Sequence, residues 1–178
     1  TIRPSGLIDQ VRNLSYNDEK NRLLTADTHE LVSFIYDDEG QTQRVVGDTT
    51  NTHYEFDGAH RLVAYNSASD SASYQYDGAG NRLAATRNGV TTRYIYNANG
   101  QLIAEADGSN TITRYYIYGL GLMAFFDVAT NQLYTYHHDA TGHTVAMTDD
   151  TQAIVNRYSY SPYGRVLAKD EQIKQPFT

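Results

Sequence analysis

The sequence predicts an all-β protein, built from repeated antiparallel β-hairpins that form a twisted ribbon. Aromatic residues recur at a fixed period, apolar and polar residues alternate around them, and glycine, asparagine and aspartate mark turns between the alternating stretches. The sequence has no sustained apolar stripe with i, i+3, i+4 spacing, which would indicate a helix. We expect regular repeats over residues 1–110 and less regular repeats over 111–178, as one continuous β-structure.

The aromatic period is 20 residues. Each of the first five aromatics is followed by asparagine or aspartate, and the period then loosens to spacings of 22, 18 and 24 residues. A fixed period of this length is typical of repeat proteins, in which each repeat is one supersecondary unit. The members are Tyr16, Tyr36, Phe56, Tyr76, Tyr96, Tyr118, Tyr136 and Tyr160.

Each repeat begins with a strand. Tyr74 and Tyr76, like Tyr94 and Tyr96, flank a single residue, so both aromatics of a pair lie on one face of the strand. The opposite face is expected to be mostly polar, because the middle residues of these triplets are Glu55, Gln75, Ile95, Thr135 and Ser159. Cross-strand aromatic pairs contribute roughly 0.2–1 kcal/mol each, so repetition rather than any single pair stabilises the sheet.

A turn and a second strand complete the repeat. The turn residue after the aromatic can accept hydrogen bonds from backbone amides ahead of it, and a glycine three places later can adopt a positive φ. The best-defined turn residues are Asp37, Asp57, Asp77, Gly80 and Gly100. Because this glycine turn recurs and is followed by a strand, it is not a phosphate-binding loop, which occurs once and precedes a helix.

Composition excludes several classes of function. The formal net charge of −7 disfavours a nucleic-acid partner, which requires a basic surface. The chain has no cysteine, so disulfides and thiolate metal sites are excluded within it. No apolar run approaches the ~18 residues of a membrane span, and no targeting signal is visible. Since the chain opens with Thr1, we expect it to be a piece of a longer protein.

Several stretches resemble a known family. YQYDGAGNRL (74–83), FIYDDEGQTQRV (34–45) and YEFDGAHRL (54–62) resemble YD repeats, also called Rhs repeats. Residues 134–167 resemble the Rhs-associated core segment. The resemblance implies a ribbon that is part of a spiralling, hollow YD-repeat shell. Relatives of this kind include bacterial polymorphic toxins, toxin-complex subunits and the animal teneurins.

The resemblance implies a structural function. The module would enclose or present another polypeptide, such as a C-terminal toxin, within a secreted or cell-surface protein of a bacterium. The alternative is an adhesion or carbohydrate-binding module, in which Tyr74, Tyr76, Tyr94 and Tyr96 contact glycans. The residues expected to hold the repeat structure are Tyr16, Tyr36, Asp37, Phe56, Asp57, Tyr74, Tyr76, Asp77, Gly80, Arg82, Tyr94, Tyr96, Gly100, Tyr136 and Tyr160.

The expected partners are other segments of the parent polypeptide and a second copy of the chain, joined through sheet edges or tyrosine faces. Proline and lysine, which protect strand edges from pairing, are scarce. Arg22, Arg61 and Arg82 are expected to pair with turn acids or to lie over aromatic rings.

The sequence predicts no enzyme, metal or cofactor. The densest ligand-like cluster is His137, His138 and Asp139, but adjacent strand residues point to opposite faces and would not readily bind one ion. The acidic turns lack the spacing of a calcium-binding EF-hand loop. No nucleophile-elbow motif and no paired glutamates indicate catalysis.

Overall fold

The computed structural model describes residues 13–17, 20–27 and 30–177. Every regular element in this part of the chain is a β-strand, which confirms the all-β prediction. The described residues accordingly contain no helix long and apolar enough to cross a membrane. Residues 1–12 of the predicted regular-repeat region and Thr178 of the second region lie outside the described residues.

The strands fall into two compact units, the first ending at Thr91 and the second beginning at Thr92. The first unit is an antiparallel meander, in which each strand pairs with its neighbours in sequence. Its strands are β1 (Asn13–Asn17), β2 (Arg22–Asp27), β3 (Leu31–Tyr36), β4 (Thr42–Val46), β5 (Asn51–Phe56), β6 (Leu62–Asn66), β7 (Ser71–Tyr76) and β8 (Arg82–Arg87).

The second unit is a meander of the same kind. Pairing stays antiparallel and sequential through β16, so the looser aromatic period after Tyr96 changes the spacing of the turns but not the strand pairing. The strands are β9 (Val90–Tyr96), which carries the boundary between the units, β10 (Leu102–Asp107), β11 (Ile112–Tyr118), β12 (Leu122–Asp127), β13 (Gln132–His138), β14 (Thr144–Thr148), β15 (Ile154–Tyr160) and β16 (Val166–Glu171).

A β-bulge precedes the turn in most hairpins. In the hairpin of β7 and β8, Gln75 lies opposite Ala84 and Tyr76 lies opposite Arg82, so Leu83 is the extra residue. The same shift occurs between Glu55 and Phe56, and again at Tyr16, Tyr36, Tyr118 and Tyr160. Bulges increase the local twist of paired strands, which agrees with the twisted ribbon that the sequence predicts.

The two units differ in their cores. The second unit contains a cluster of buried residues, in which Phe125 and Met147 are 0% exposed and Tyr116, Tyr134 and Tyr136 pack around them. In the described part of the first unit, the buried hydrophobic residues are all alanines: Ala26, Ala72, Ala84 and Ala85. The large aromatic side chains of β3, β5 and β7 are only half-buried, and Tyr16 of β1 is exposed.

Candidate functional site

The candidate site is the face of each meander that carries the repeat aromatics, here called the tyrosine face. Cross-strand pairs place Tyr54 beside Tyr65 in the first unit, with ring centroids 6.3 Å apart. The face of the second unit carries two connected rows, Tyr116–Phe125–Tyr134 and Tyr136–Met147–Asn156. Alternation along the strands puts these residues on one face, as the aromatic triplets predict.

The acidic turns position the strands on either side. Asp77 Oδ1 accepts hydrogen bonds from the backbone amides of Ala79 at 2.9 Å and Asn81 at 2.8 Å, and Oδ2 accepts one from Asn81 Nδ2. The bonds from Asn81 are the main reason that the pKa of Asp77 lies below its usual range. Five other turns have the same arrangement, in which one side chain accepts hydrogen bonds from the backbone amides two and four residues ahead of it. These side chains are Asp57, Asn97, Asp107, Asp139 and Asp149.

The turn fixes a left-handed residue three places after the acid. Gly80 and Gly100 have φ values of 91° and 76°, but His60 and Gln152 occupy the same turn position at 60° and 67°. A non-glycine residue has a steric cost in this region, so His60 and Gln152 are local weak points of the turn. Asn110 occupies the same position at 66°, but asparagine tolerates a positive φ better.

Tyrosine hydroxyls join successive hairpins. The hydroxyls of Tyr36 and Tyr76 donate to the backbone carbonyls of Leu23 (2.7 Å) and Leu62 (2.9 Å), which lie beyond the last paired residues of the preceding strand. The second unit has the same bond twice, from Tyr118 to Leu102 and from Tyr160 to Thr144. Each tyrosine therefore binds a carbonyl that lies outside the register between its own strand and the preceding one, which is how one repeat is attached to the next.

Arginine side chains cover the tyrosines of the first unit. The Arg82 guanidinium lies 4.6 Å from the centre of the Tyr74 ring, and Arg61 lies 5.0 Å from that of Tyr76. Arg61 also pairs with Asp57 at 2.8 Å and donates to the Asp77 carbonyl. On the tyrosine face of this unit, aromatic rings and guanidinium groups therefore stack on one another.

The second unit buries charge beside its aromatic core. Glu105 is buried and accepts a hydrogen bond of 2.9 Å from the Tyr116 hydroxyl. Burial, and then the Glu105 carboxylate, raise the pKa of Tyr116. Arg114 lies 4.8 Å from the centre of the Phe125 ring and 3.5 Å from the Asp127 carboxylate. Burial also raises the pKa of Tyr136, whose hydroxyl has no hydrogen-bond partner in the described part of the chain.

Residues 172–177, here called the strap segment, cover this face. The Asn156 side chain, 1% exposed, accepts hydrogen bonds from the backbone amides of Gln172 and Ile173 and donates to the Ile173 carbonyl at 2.7 Å. Tyr158 bonds Asn156 and Gln175, and burial followed by its bond to Glu171 raises the pKa of Tyr158 to about 12.

Side chains of the strap segment alternate between half-buried and exposed. Ile173, Gln175 and Phe177 are half-buried, whereas Gln172, Lys174 and Pro176 are exposed. The Phe177 ring meets Tyr116 edge-on at 5.4 Å and Tyr136 at 6.3 Å. A segment of this chain therefore lies across the strands of the tyrosine face, in contact with β15, β13 and β11.

The histidine cluster is dispersed. His137 bonds the Thr148 hydroxyl at 3.0 Å, while His138 stacks on Tyr136. Asp139 belongs to a turn, where the hydroxyl of Thr141 is the main cause of a pKa lowered to about 2. Within the described ranges, no three His, Cys, Asp or Glu residues are grouped so that they could hold a metal ion.

Sequence reasoning missed the tyrosine–carbonyl bonds, Asn156 and the strap segment. The first two depend on contacts between strands, which a single sequence does not show. The strap segment does have a signal, because Ile173, Gln175 and Phe177 alternate with exposed residues as a strand would.

Comparisons with known proteins agree with this architecture. The chain is 31% identical over 73 residues to the tRNA(Glu)-specific nuclease WapA of Bacillus subtilis subsp. natto, a match that covers 39% of this chain and 3% of that protein. It resembles the crystal structures of TcdB2-TccC3-Cdc42 (TM-score 0.56, 16% identity) and TcdB2-TccC3 (0.55, 15%). Each match covers 88% of this chain and 10% of the solved one. At this low sequence identity, the likeness shows the fold alone.

The match that identifies the family covers most of the chain. The Teneurin YD-shell family matches residues 8–174, a range that includes every strand described above. The predicted resemblance to YD-repeat proteins is confirmed, and the chain belongs to the Teneurin YD-shell family.

Proposed function

We propose that this chain is a non-enzymatic structural module of a YD-repeat shell, which encloses or presents another polypeptide such as a C-terminal toxin. The observation that carries the proposal is the bond between repeats. The hydroxyls of Tyr36, Tyr76, Tyr118 and Tyr160 each bind a carbonyl of the preceding strand, so hairpins can be added in series without a new type of contact.

The share of the relatives that is matched supports the same proposal. This chain spans 10% of the TcdB2-TccC3 chain and 3% of WapA, as expected of one stretch of a long repeat array. In such a protein, the toxic or adhesive activity would belong to other segments. We place the parent protein outside the cell or at the bacterial surface, as the sequence resemblance implies.

Glycan binding is the second candidate from the sequence. Sugar stacking requires a free ring face, and Arg82 and Arg61 lie over Tyr74 and Tyr76. This covering favours the structural role. A glycan array probed with this chain and with Tyr74→Ala would decide, because a carbohydrate that binds only the unmodified chain would favour the second candidate.

Self-association through sheet edges remains part of the proposal. β1 has a pairing partner on one side only among the described strands, and it carries no charged side chain. β16 is the other end strand, but Lys169, Asp170 and Glu171 make it a poorer template. We expect association through β1, and light scattering over a dilution series of the chain would detect it.

Enclosure is tested on the full-length polypeptide that contains this chain. If the module is part of a closed shell, the segment that follows it resists protease until the β-structure unfolds. Replacing the four bonding tyrosines with phenylalanine should expose that segment at a lower denaturant concentration. Cleavage of the following segment at the same rate in native and unfolded protein would contradict the proposal.

A further inference from the structure

We infer that the tyrosine face of the second unit is a binding site for a polypeptide of the pattern aliphatic-x-Gln-x-aromatic, and that the strap segment is an exchangeable occupant of that site. This goes beyond a structural role, because it assigns a recognition site with a defined ligand. It rests on the face itself and not on what the parent protein encloses.

Asn156 recognises the backbone of the occupant. Its carboxamide accepts from two successive amides, those of Gln172 and Ile173, and donates to the Ile173 carbonyl. These groups belong to the main chain, so the contact does not depend on which side chain stands at either position. A buried carboxamide that satisfies a peptide unit in this way acts as a short length of partner strand.

The site is particular to this strand. Asn156 stands two residues before the first aromatic of β15, and the corresponding residues of the other first strands cannot offer the same buried carboxamide to a strap. These residues are Val32, Thr52, Ala72, Thr92, Arg114 and Gln132. Of these, Gln132 already accepts a bond from the Tyr134 hydroxyl at 2.7 Å. Among the described first strands, Asn156 of β15 is thus the residue that can bind a peptide backbone on the tyrosine face.

The side chains of the occupant determine specificity. Ile173 and Phe177 pack against the cluster of Tyr116, Phe125 and Tyr136, and Gln175 bonds the Tyr158 hydroxyl at 3.1 Å. These three are the half-buried residues of the strap segment and their neighbours are exposed, so their spacing of two residues is a requirement for binding.

The site has room for a longer ligand. An open groove of about 870 Å³ adjoins Phe177 and is lined mainly by apolar side chains, among them Leu122 and Tyr136. Pro176 and Phe177 of the strap segment are among the residues that line this groove. A polypeptide that continues past the aromatic position would therefore remain on an apolar surface.

The first experiment measures binding to the full chain. The probe is a fluorescent peptide with the sequence of residues 172–177, and the protein is the Ile173→Ser/Phe177→Ser variant, whose own strap lacks both anchors. We expect saturable binding by anisotropy to this variant. Binding to the unmodified chain should be at least about ten-fold weaker, because the intact strap competes at an effective concentration near the millimolar range.

Two control peptides test the recognition without changing the protein. Methylating the backbone nitrogen at the isoleucine removes one bond to Asn156, which should weaken binding about ten-fold. Replacing isoleucine and phenylalanine with serine should abolish it. Lack of saturable binding to a variant that keeps its β-sheet signal, or equal binding of the serine peptide, would overturn the inference.

A second measurement decides the matter if the variant does not fold. In the unmodified chain, the amides of Gln172 and Ile173 should exchange hydrogen faster than those of β15, and faster still with excess peptide. Exchange at the β15 rate, unaffected by peptide, would show that the strap segment is a fixed part of the core and would overturn exchangeability.

Discussion

The two units use the same hairpin for different surfaces. Both have the acidic turn, the bulge and the tyrosine–carbonyl bond. In the first unit the tyrosine face is half-buried beneath arginine side chains, whereas in the second it forms an aromatic cluster beneath the strap segment. The repeat therefore defines the backbone, and the residues between repeats decide whether its face becomes a core.

Local sequence explains this difference. The strand residues that lie opposite Tyr74 and Tyr76 of the first unit are small or cationic, namely Ala85 and Arg82. At the corresponding place in the second unit, Phe125 lies between Tyr116 and Tyr134. A ring fills the space between two tyrosines, but an alanine leaves room that an arginine from a neighbouring strand can cover.

The largest expected effect separates the two faces directly. Phe125→Ala should reduce stability by about 4 kcal/mol, because the side chain is fully buried and its removal leaves a cavity. The matched change Phe56→Ala, on the half-buried face, should cost about half as much. Hydrogen exchange read separately over β1–β8 and β9–β16 checks both values, and equal losses would mean that the faces are equally buried.

Removing the hydroxyl of Tyr76 or of Tyr136 should have different effects on stability. Tyr76→Phe loses the bond to the Leu62 carbonyl and should destabilise by about 1 kcal/mol. Tyr136→Phe removes a buried hydroxyl for which the described residues supply no hydrogen-bond partner, so it should be neutral or slightly stabilising. Urea unfolding of the two variants tests this, and a loss of 1 kcal/mol from Tyr136→Phe would reveal an unrecognised partner.

The turns should respond alike in both units, because their geometry is local. His60→Gly in the first unit and Gln152→Gly in the second should each gain up to about 1 kcal/mol, since glycine adopts a positive φ without steric cost. Gly80→Ala and Gly142→Ala should each lose about 1 kcal/mol, although neither added methyl group meets a neighbour. Thermal unfolding measures the four changes, and a gain in only one unit would show that the turns differ.

The smallest expected effect is the loss of stability at low pH. Asp77 and Asp139 both have a lowered pKa in the folded chain, so their contribution to stability is present above the usual aspartate pKa of about 4. It is lost as the pH falls through the lowered pKa, which for Asp139 is about 2. NMR titration should place the pKa of Asp139 at about 2, with the Thr141 hydroxyl as the main cause. The Asn97 turn has no such carboxylate and is the internal control. An Asp139 carboxyl that titrates at its usual value would contradict the turn geometry.

The sequence was sufficient to predict the strands and turns. Period-two alternation around Tyr74 and Tyr76, and the left-handed position at Gly80, follow from chemistry within ten residues. Arginines over the tyrosines of the first unit were expected from the sequence. The strap segment over the second face could not be predicted in this way, because its ring contacts join residues far apart in the chain, such as Tyr116 and Phe177. Asn156 illustrates the limit, since an asparagine in a strand has no local feature that indicates a bond to Ile173.

Hydroxyl-radical footprinting with mass spectrometry tests the contrast between the faces most directly. Tyr163, which is 98% exposed, gives the reference rate within the same chain. We predict that Tyr54 and Phe56 of the first unit are oxidised several-fold faster than Tyr116 and Phe125 of the second. Equal protection of both pairs would mean that the first face is covered as well, and oxidation of Phe125 at the rate of Tyr163 would contradict the aromatic core.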